Sequence, residues 1–436
     1  MRTVSKTVIG VDFGTQSARA VLVNAENGEI IYSCRKEYPY NSTPVPAIDC
    51  AENLPCATDY EMTLYELLRN VIPEEYRKTV AGICVDATSL TMVLLAEDGR
   101  ALSELDGWSE AAHARVKLWK YHRAQEKADE ALNLARNLQE PFLGRTGGSI
   151  SCEWMLPKLL EVRDEAPEIY SKIDLAMDLC EFLTFRLTGQ LVRSIGSLSY
   201  KCLWAEDLSF PERTFLNGLR AGFYEEYCHF LRGDVRKPGE CAGMLRSELT
   251  KRWGLPEQIP VATGMLDGHT SLATMGAFEP GDAALIVGTS NVCTVQDRKL
   301  QELKDVCGVA QDGMVTGSCG IDTGQSSTGN MLGWFVEHMA GWQIHREAEE
   351  RKISPHQVLA ERIQKPWENK VIAVDWWSGS RNAPCDLTLR GSMSGLEMDT
   401  KTEDIYLALL QAIACGTGTI LESLSGQGVE IGRVLA

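Results

Sequence analysis

The 436-residue sequence contains 14 cysteines but no pair at C-x-x-C spacing, and none of its seven histidines sits in an H-E-x-x-H arrangement. These absences exclude dithiol, zinc-ribbon and zincin chemistry, and single scattered cysteines read as reduced core residues. Also missing are the G-x-x-x-x-G-K-[ST] loop, the G-x-G-x-x-G turn and the G-x-S-x-G elbow, for which Gly324 to Gly329 has one residue too many. No apolar run approaches the roughly 18 residues of a bilayer span, and Met1 to Lys6 lead into strand-like sequence rather than a signal core. Positive charge is in deficit: 43 Lys and Arg against 60 Asp and Glu leave a net charge of −17, which repels nucleic acid. The expectation is a folded cytoplasmic protein with neither membrane nor nucleic-acid partner, long enough for two large α/β domains.

The chain opens on an apolar run, Thr7 to Val11, that ends at Asp12. Ser17 to Val23 then alternate toward an Asn27-Gly28 turn, which predicts an antiparallel meander. Val80 to Leu95 read as further strands, broken at Asp86-Ala-Thr-Ser89. Ser109 to about Glu140 carry apolar residues near helical spacing and predict one long amphipathic helix. Shorter helices are expected over Trp154 to Val162, Leu175 to Leu187 and Pro211 to Leu219. The opening pattern returns late: Ile9-Gly-Val-Asp-Phe-Gly-Thr and Leu285-Ile-Val-Gly-Thr both run a strand into a Gly-Thr turn, a weak internal duplication.

A Gly-Thr/Ser turn between strands lets backbone N–H groups and hydroxyls approach an oxyanion. Gly14, Thr15, Gln16 and Ser17 form one candidate cradle and Gly288, Thr289 and Ser290 the other, although each alone is equally a tight hairpin. Asp12 beside the first suits a water-mediated Mg2+, or an Asx turn; Arg19 suits a phosphate, or solvent. Asp267 closes an apolar strand ahead of a small-residue helical stretch, the place of a general base or of a helix cap. Lys201, alone in an apolar run, is either a buried cation needing a ligand or an exposed strand lysine, and the Asp322 segment is rich in hydrogen-bonding groups suited to hydroxyls.

Taken in order, Val11-Asp-Phe-Gly-Thr-Gln-Ser-Ala-Arg19, Asp267-Gly-His and Val287-Gly-Thr-Ser resemble the FGGY carbohydrate kinases. Val116 to His122, Gly147 to Met155, Ser199 to Trp204, Gly324 to Gly329 and Asp375 to Arg381 are similar to the ribulokinase branch, and the likeness runs along essentially the whole chain. It implies an α/β, two-domain actin/hexokinase-like (ribonuclease-H-like) sugar kinase fold. The domains are drawn at 1–247 and 248–436, with the second incomplete because the chain stops before the adenosine motif. The implied activity is ATP- and Mg2+-dependent phosphorylation of a ketopentose, with L-ribulose first. D-ribulose, xylulose, a pentitol, or sugar binding without turnover stand as alternatives.

By the same resemblance Asp267 is the catalytic base. Ser89, Lys201 and Asp322 contact the sugar, Asp12 holds Mg2+ through water, and the two Gly-Thr loops with Arg19 hold ATP. Asp322 stands where that branch usually carries the longer Glu. A homodimer is the expected assembly.

Overall fold

The computed structural model describes residues 6–38, 54–364, 369–382, 385–386 and 388–436. It divides into two compact units. Unit 1 comprises residues 1–143, 150–271 and 310–317; unit 2 comprises 144–149, 272–309 and 318–436. The sequence-drawn line at 247/248 falls inside unit 1, because the strands Pro260–Ala262 and Met265–Leu266 pair with the strand Val80–Ala87.

In unit 1, β1 (Thr7–Phe13) and β2 (Ser17–Asn24) form an antiparallel hairpin, and β3 (Ile30–Glu37) continues the meander. β4 (Val80–Ala87) then lies parallel to β1. Alternation sets the packing: Ile9, Val11 and Phe13 of β1 and Ala18, Ala20 and Leu22 of β2 are buried, and they share a core with Leu64 and Leu68 of the helix Ala57–Val71. Burial of this apolar face is the main stabilising term, at roughly 25 cal/mol per Å2 removed from water.

Unit 2 repeats this order. Asp282–Val287 and Asn291–Asp297 form a hairpin, Cys319–Gln325 pairs antiparallel with the second strand, and Arg433–Leu435 pairs parallel with the first. The weak duplication in sequence is matched in topology: in each sheet a hairpin is extended by an antiparallel strand beside its second strand and a parallel strand beside its first, the second sheet differing by an extra edge strand, Gly308–Gln311, inserted in the chain before Cys319–Gln325. Ile405 to Leu424, expected as a helix, lie in the helix Thr402–Gly426, which is long and apolar enough by composition to cross a membrane, against the expectation that no run approaches a bilayer span. Here it serves the core of unit 2: Tyr406, Leu409 and Ala412 pack into one apolar cluster, and Ile420 and Leu424 into another.

Three local expectations change. The long helix over Ser109 to Glu140 is confined to Gln125–Leu138, because Lys117 is drawn into an extended bridge that exchanges both backbone hydrogen bonds with Met92 (2.9 and 3.1 Å), a tertiary contact that overrides helical spacing. Leu175 to Leu187 split into a strand, Leu175–Asp178, and a helix, Leu179–Thr188. Asp178 and Glu181 form the capping box that starts that helix. Lys201 ends the helix Ile195–Lys201 and lies on no strand.

Candidate active site

β1 and β4 run parallel with Asp12 beside Asp86, and Met265 pairs with Asp86 one strand further on. Three carboxylates therefore emerge at the same, C-terminal, end of adjacent strands: Asp12, Asp86 and, just past Leu266, Asp267. In open α/β sheets this end is where ligands bind. Asp267 is the first residue of the helix Asp267–Met275, and its Oδ1 accepts from the Gly268 N–H at 2.7 Å. The carboxylate thus accepts a first-turn N–H of its own helix and also belongs to the acidic cluster.

Burial pushes Asp267 up to about 6. The charge of Asp12 adds to this, while N–H donors from Gly268 and Ser89 and the charge of Lys201 hold it back. A carboxylate at about 6 is ionised at neutral pH and basic enough to accept a proton. Asp86 is driven well above the ordinary carboxylate range by burial, then by the charge of Asp12 and a hydrogen bond with it, and by the charge of Asp267. Asp86 therefore holds a proton against Asp12, as expected when carboxylates crowd together.

No group of three or more His, Cys, Asp or Glu is arranged to hold a metal among the described residues. The residues do suit a cation held less directly. Asp12 is exposed at the end of its strand, and the raised Asp86 records an excess of negative charge that a divalent ion would relieve.

Around this cluster stand the other predicted residues of unit 1. Lys201 is buried, and its charge acts on Asp267. The Ser89 N–H reaches Asp267, while the Ser89 hydroxyl is buried with no hydrogen-bond partner among the described residues, a group that a bound hydroxyl would satisfy. The Gly14 to Ser17 turn is closed by the Gly14 N–H on the Ser17 carbonyl at 3.1 Å, and Tyr38 donates to the Gly14 carbonyl at 2.9 Å. The Trp119 indole N–H donates to Thr15 Oγ1 at 3.1 Å, and Tyr38 N–H to the Gln16 carbonyl at 3.4 Å. Ser17 Oγ accepts from Arg35 Nε at 3.0 Å and keeps its own proton to donate. Arg19 is exposed on β2, in register with Asp12.

The remaining predicted residues belong to unit 2. Asp322 is buried on the strand Cys319–Gln325, and its charge adds to burial, the two together pushing the Cys293 thiol up to about 12. The Gly288 to Ser290 turn is closed by the Gly288 N–H on the Ser290 carbonyl at 3.0 Å. The start of the helix Gly329–His338 seizes it: Gly329 N–H and Thr328 Oγ1 donate to the Gly288 carbonyl at 3.0 and 2.9 Å, and Asn330 N–H donates to the Thr289 carbonyl at 3.2 Å. Behind the turn, Gln325 ties Asn291 (2.7 Å), Thr417 (2.8 Å) and Asp375 (2.6 Å) into one partly buried network.

A Cβ on Gly329 would lie 2.5 Å from the Gly288 carbonyl oxygen, a backbone atom that cannot step aside cheaply. Gly329→Ala is expected to lower the urea midpoint of unfolding, from roughly 1–3 kcal/mol of overpacking strain placed on the turn. Equilibrium urea unfolding checks this, and a midpoint equal to that of the wild type would show that the turn yields without cost.

Sequence reasoning missed Asp86 as a member of the cluster, although its signature matches that of Asp12: an apolar strand ending in Asp. It also missed Trp119, whose bond to Thr15 spans 104 residues and leaves no local pattern.

Comparison with known proteins decides the family. Residues 7–274 match the N-terminal domain model of the FGGY family of carbohydrate kinases, and residues 283–436 match its C-terminal domain model. The chain belongs to the FGGY carbohydrate kinases. A ribulokinase of Halalkalibacterium halodurans is 34% identical, the match taking in 99% of this chain and 78% of that protein. One from Mycolicibacterium smegmatis is 36% identical over 98% and 77%. The crystal structure of a xylulose kinase from Rhodospirillum rubrum superposes with a TM-score of 0.76 at 20% identity, covering 98% of this chain and 80% of that one, a likeness of fold. This FGGY kinase accordingly has the two-domain α/β fold of the family and is a phosphotransferase with ATP as donor. The family's domain division, between 274 and 283, follows the end of the Asp267 helix.

Proposed function

We propose that this kinase phosphorylates a ketopentose, L-ribulose before D-ribulose, xylulose or a pentitol, to give the 5-phosphate. The observation that carries the reading is the place of Asp267, half-buried just past the strand end that bears Asp86, with the Gly268 N–H on its carboxylate and the charge of buried Lys201 acting on it. Its carboxylate takes the proton of the attacking hydroxyl as the terminal phosphoryl group of ATP is transferred in line. Lys201 and Ser89, and in unit 2 Asp322, orient the sugar, with Lys201 adding a positive charge near the reacting oxygen. The turns Gly14 to Ser17 and Gly288 to Ser290 bind phosphate oxygens through small residues and backbone N–H groups, and Arg19 adds charge. Asp12, with Asp86 behind it, would hold Mg2+ through water, and the ion would neutralise the charge of the phosphates. The setting is cytoplasmic, and a homodimer is the assembly we expect.

The test is ADP release with MgATP and L-ribulose, D-ribulose, D-xylulose or ribitol, beside a sugar-only thermal shift. Sugar-dependent release is expected, with the highest kcat/KM for L-ribulose. Because the base works only when ionised, log kcat/KM for the sugar should fall with unit slope as pH drops through about 6 and level off above it. Stabilisation by sugar with no ADP release would overturn turnover and leave a sugar-binding protein. A higher kcat/KM for another sugar would reassign the substrate, and a flat profile down to pH 5 would remove Asp267 as the titrating base.

A further inference from the structure

Leu90 adopts the left-handed backbone conformation, φ +61°, which a branched non-glycine residue avoids, and it does so one residue from Ser89, whose N–H reaches Asp267. Both of its backbone polar groups are taken by charged-type side chains that are wholly buried. The Leu90 N–H donates to Asp178 Oδ2 at 2.9 Å, and the Leu90 carbonyl accepts from Lys158 Nζ at 2.7 Å. Neither side chain is there to cap or pair locally alone. Lys158 also donates to the carbonyls of Leu118 and Lys117 at 2.9 and 3.3 Å, and Asp178 also accepts from Ser197 Oγ at 3.1 Å and from its own helix start at 2.8 Å. Flanking Leu90, the hydroxyls of Thr88 and Thr91 bond each other at 2.8 Å across the turn.

We propose that Lys158 and Asp178 are positioning residues for the phosphoryl transfer: by clamping the N–H and the carbonyl of Leu90 they hold the turn in its left-handed form and keep the Ser89 N–H on the Asp267 carboxylate. The arrangement explains why a lysine and an aspartate are retained at full burial, where each costs desolvation unless its hydrogen bonds are all placed. Burial draws Lys158 down to about 7, with Glu153, Asp178, Lys117 and Cys152 facing it. It draws Asp178 up to about 7, with Glu181 facing it. The clamp survives either protonation state, since a neutral amine still donates and a protonated carboxyl still accepts.

The inference rests on Asp267 as the base, so Asp267→Asn is assayed alongside. Lys158→Met keeps the length and removes the donor; Asp178→Asn keeps the shape but replaces one of the two oxygens that accept from the Leu90 and Leu179 N–H groups by an NH2 that cannot accept; Ser197→Ala removes one hydroxyl that orients Asp178 and should fold as the wild type. In Lys158→Met and Asp178→Asn, kcat is expected to fall about 10- to 100-fold, the scale of a misplaced catalytic group, with the sugar KM changed less than about threefold. The acid limb of kcat/KM should move to higher pH, because Asp267 loses an N–H donor that favours its ionised form, with Asp12, Asp86 and Lys201 still facing it. Ser197→Ala should move the limb in the same direction by less. If the first two variants fail to fold, Ser197→Ala alone decides. A wild-type kcat and acid limb in every variant that folds would overturn the clamp, while activity retained by Asp267→Asn would instead sink the base on which it rests.

Discussion

Asp267→Asn should lose at least about 100-fold in kcat, since a positioned general base contributes roughly 10² to 10⁴. The substitution keeps the shape of the side chain and the acceptor oxygen that the Gly268 N–H contacts, so the helix start survives. It removes the lone pair and charge that accept the hydroxyl proton. The sugar KM should change little, and the acid limb near pH 6 should vanish along with the group that titrates there. Stopped-time ADP release across pH 5 to 8 reads both effects together. A variant that turned over at the wild-type rate would show that the proton leaves by another route.

The largest expected loss of stability lies away from the carboxylates. Arg193 is wholly buried in unit 1, and its guanidinium reaches four acceptors: the carbonyls of Arg232 (2.9 Å), Ala176 (2.9 Å) and Phe230 (2.8 Å), and Glu181 Oε2 (2.8 Å). Glu181 is committed as well, accepting from the N–H groups of Asp178 and Ser194 at 3.2 and 3.0 Å. Arg193→Met would strand that carboxylate and three carbonyls, and breaking a buried pair from one side costs about 3–5 kcal/mol. The expected readout is a large fall in the urea midpoint. Arg193→Lys should recover little of it, because one ammonium cannot reproduce a planar fork. A midpoint within error of the wild type would mean that the pocket relaxes or admits water.

Legibility in the sequence followed the range of the interaction. The hairpin around Gly14 and the placement of Asp12 were readable because an apolar alternating run ends in a small-residue turn, a pattern written within a few residues. The helix at Leu179 was readable in kind and misjudged in extent, although Asp178 and Glu181 spelled its capping box. Lys158 was not readable: Pro157-Lys-Leu-Leu looks like a helix with one solvated lysine, and only the carbonyls of residues 90, 117 and 118, some 40 to 68 positions away, make burial of that amine tolerable. The stretch from Ser109 to Ala124 failed for the same reason, its run being interrupted by the bridge of Lys117 to Met92, 25 positions back.

The family resemblance named the residues proposed to carry the chemistry, while the geometry supplied what motifs omit. It placed Asp86 against Asp12, the Ser89 N–H on Asp267 with the Ser89 hydroxyl left unsatisfied, and the start of the helix Gly329–His338 on the Gly288 turn.

The division into two units has a consequence for how the molecule can be taken apart. The chain passes between them five times, at 143/144, 149/150, 271/272, 309/310 and 317/318. No single cut yields either unit whole: a fragment ending at 271 lacks residues 310–317 and with them Asp312, the partner of Lys237 at 2.7 Å. A fragment beginning at 272 lacks the strap 144–149, where Gly147, at φ +65°, lies so close to the Val306 backbone that no side chain fits. Each half is thus stitched by thread drawn from the other, and dissection by expression of separate pieces would sample incomplete folds, whereas intact chain nicked in place would keep every strand it needs.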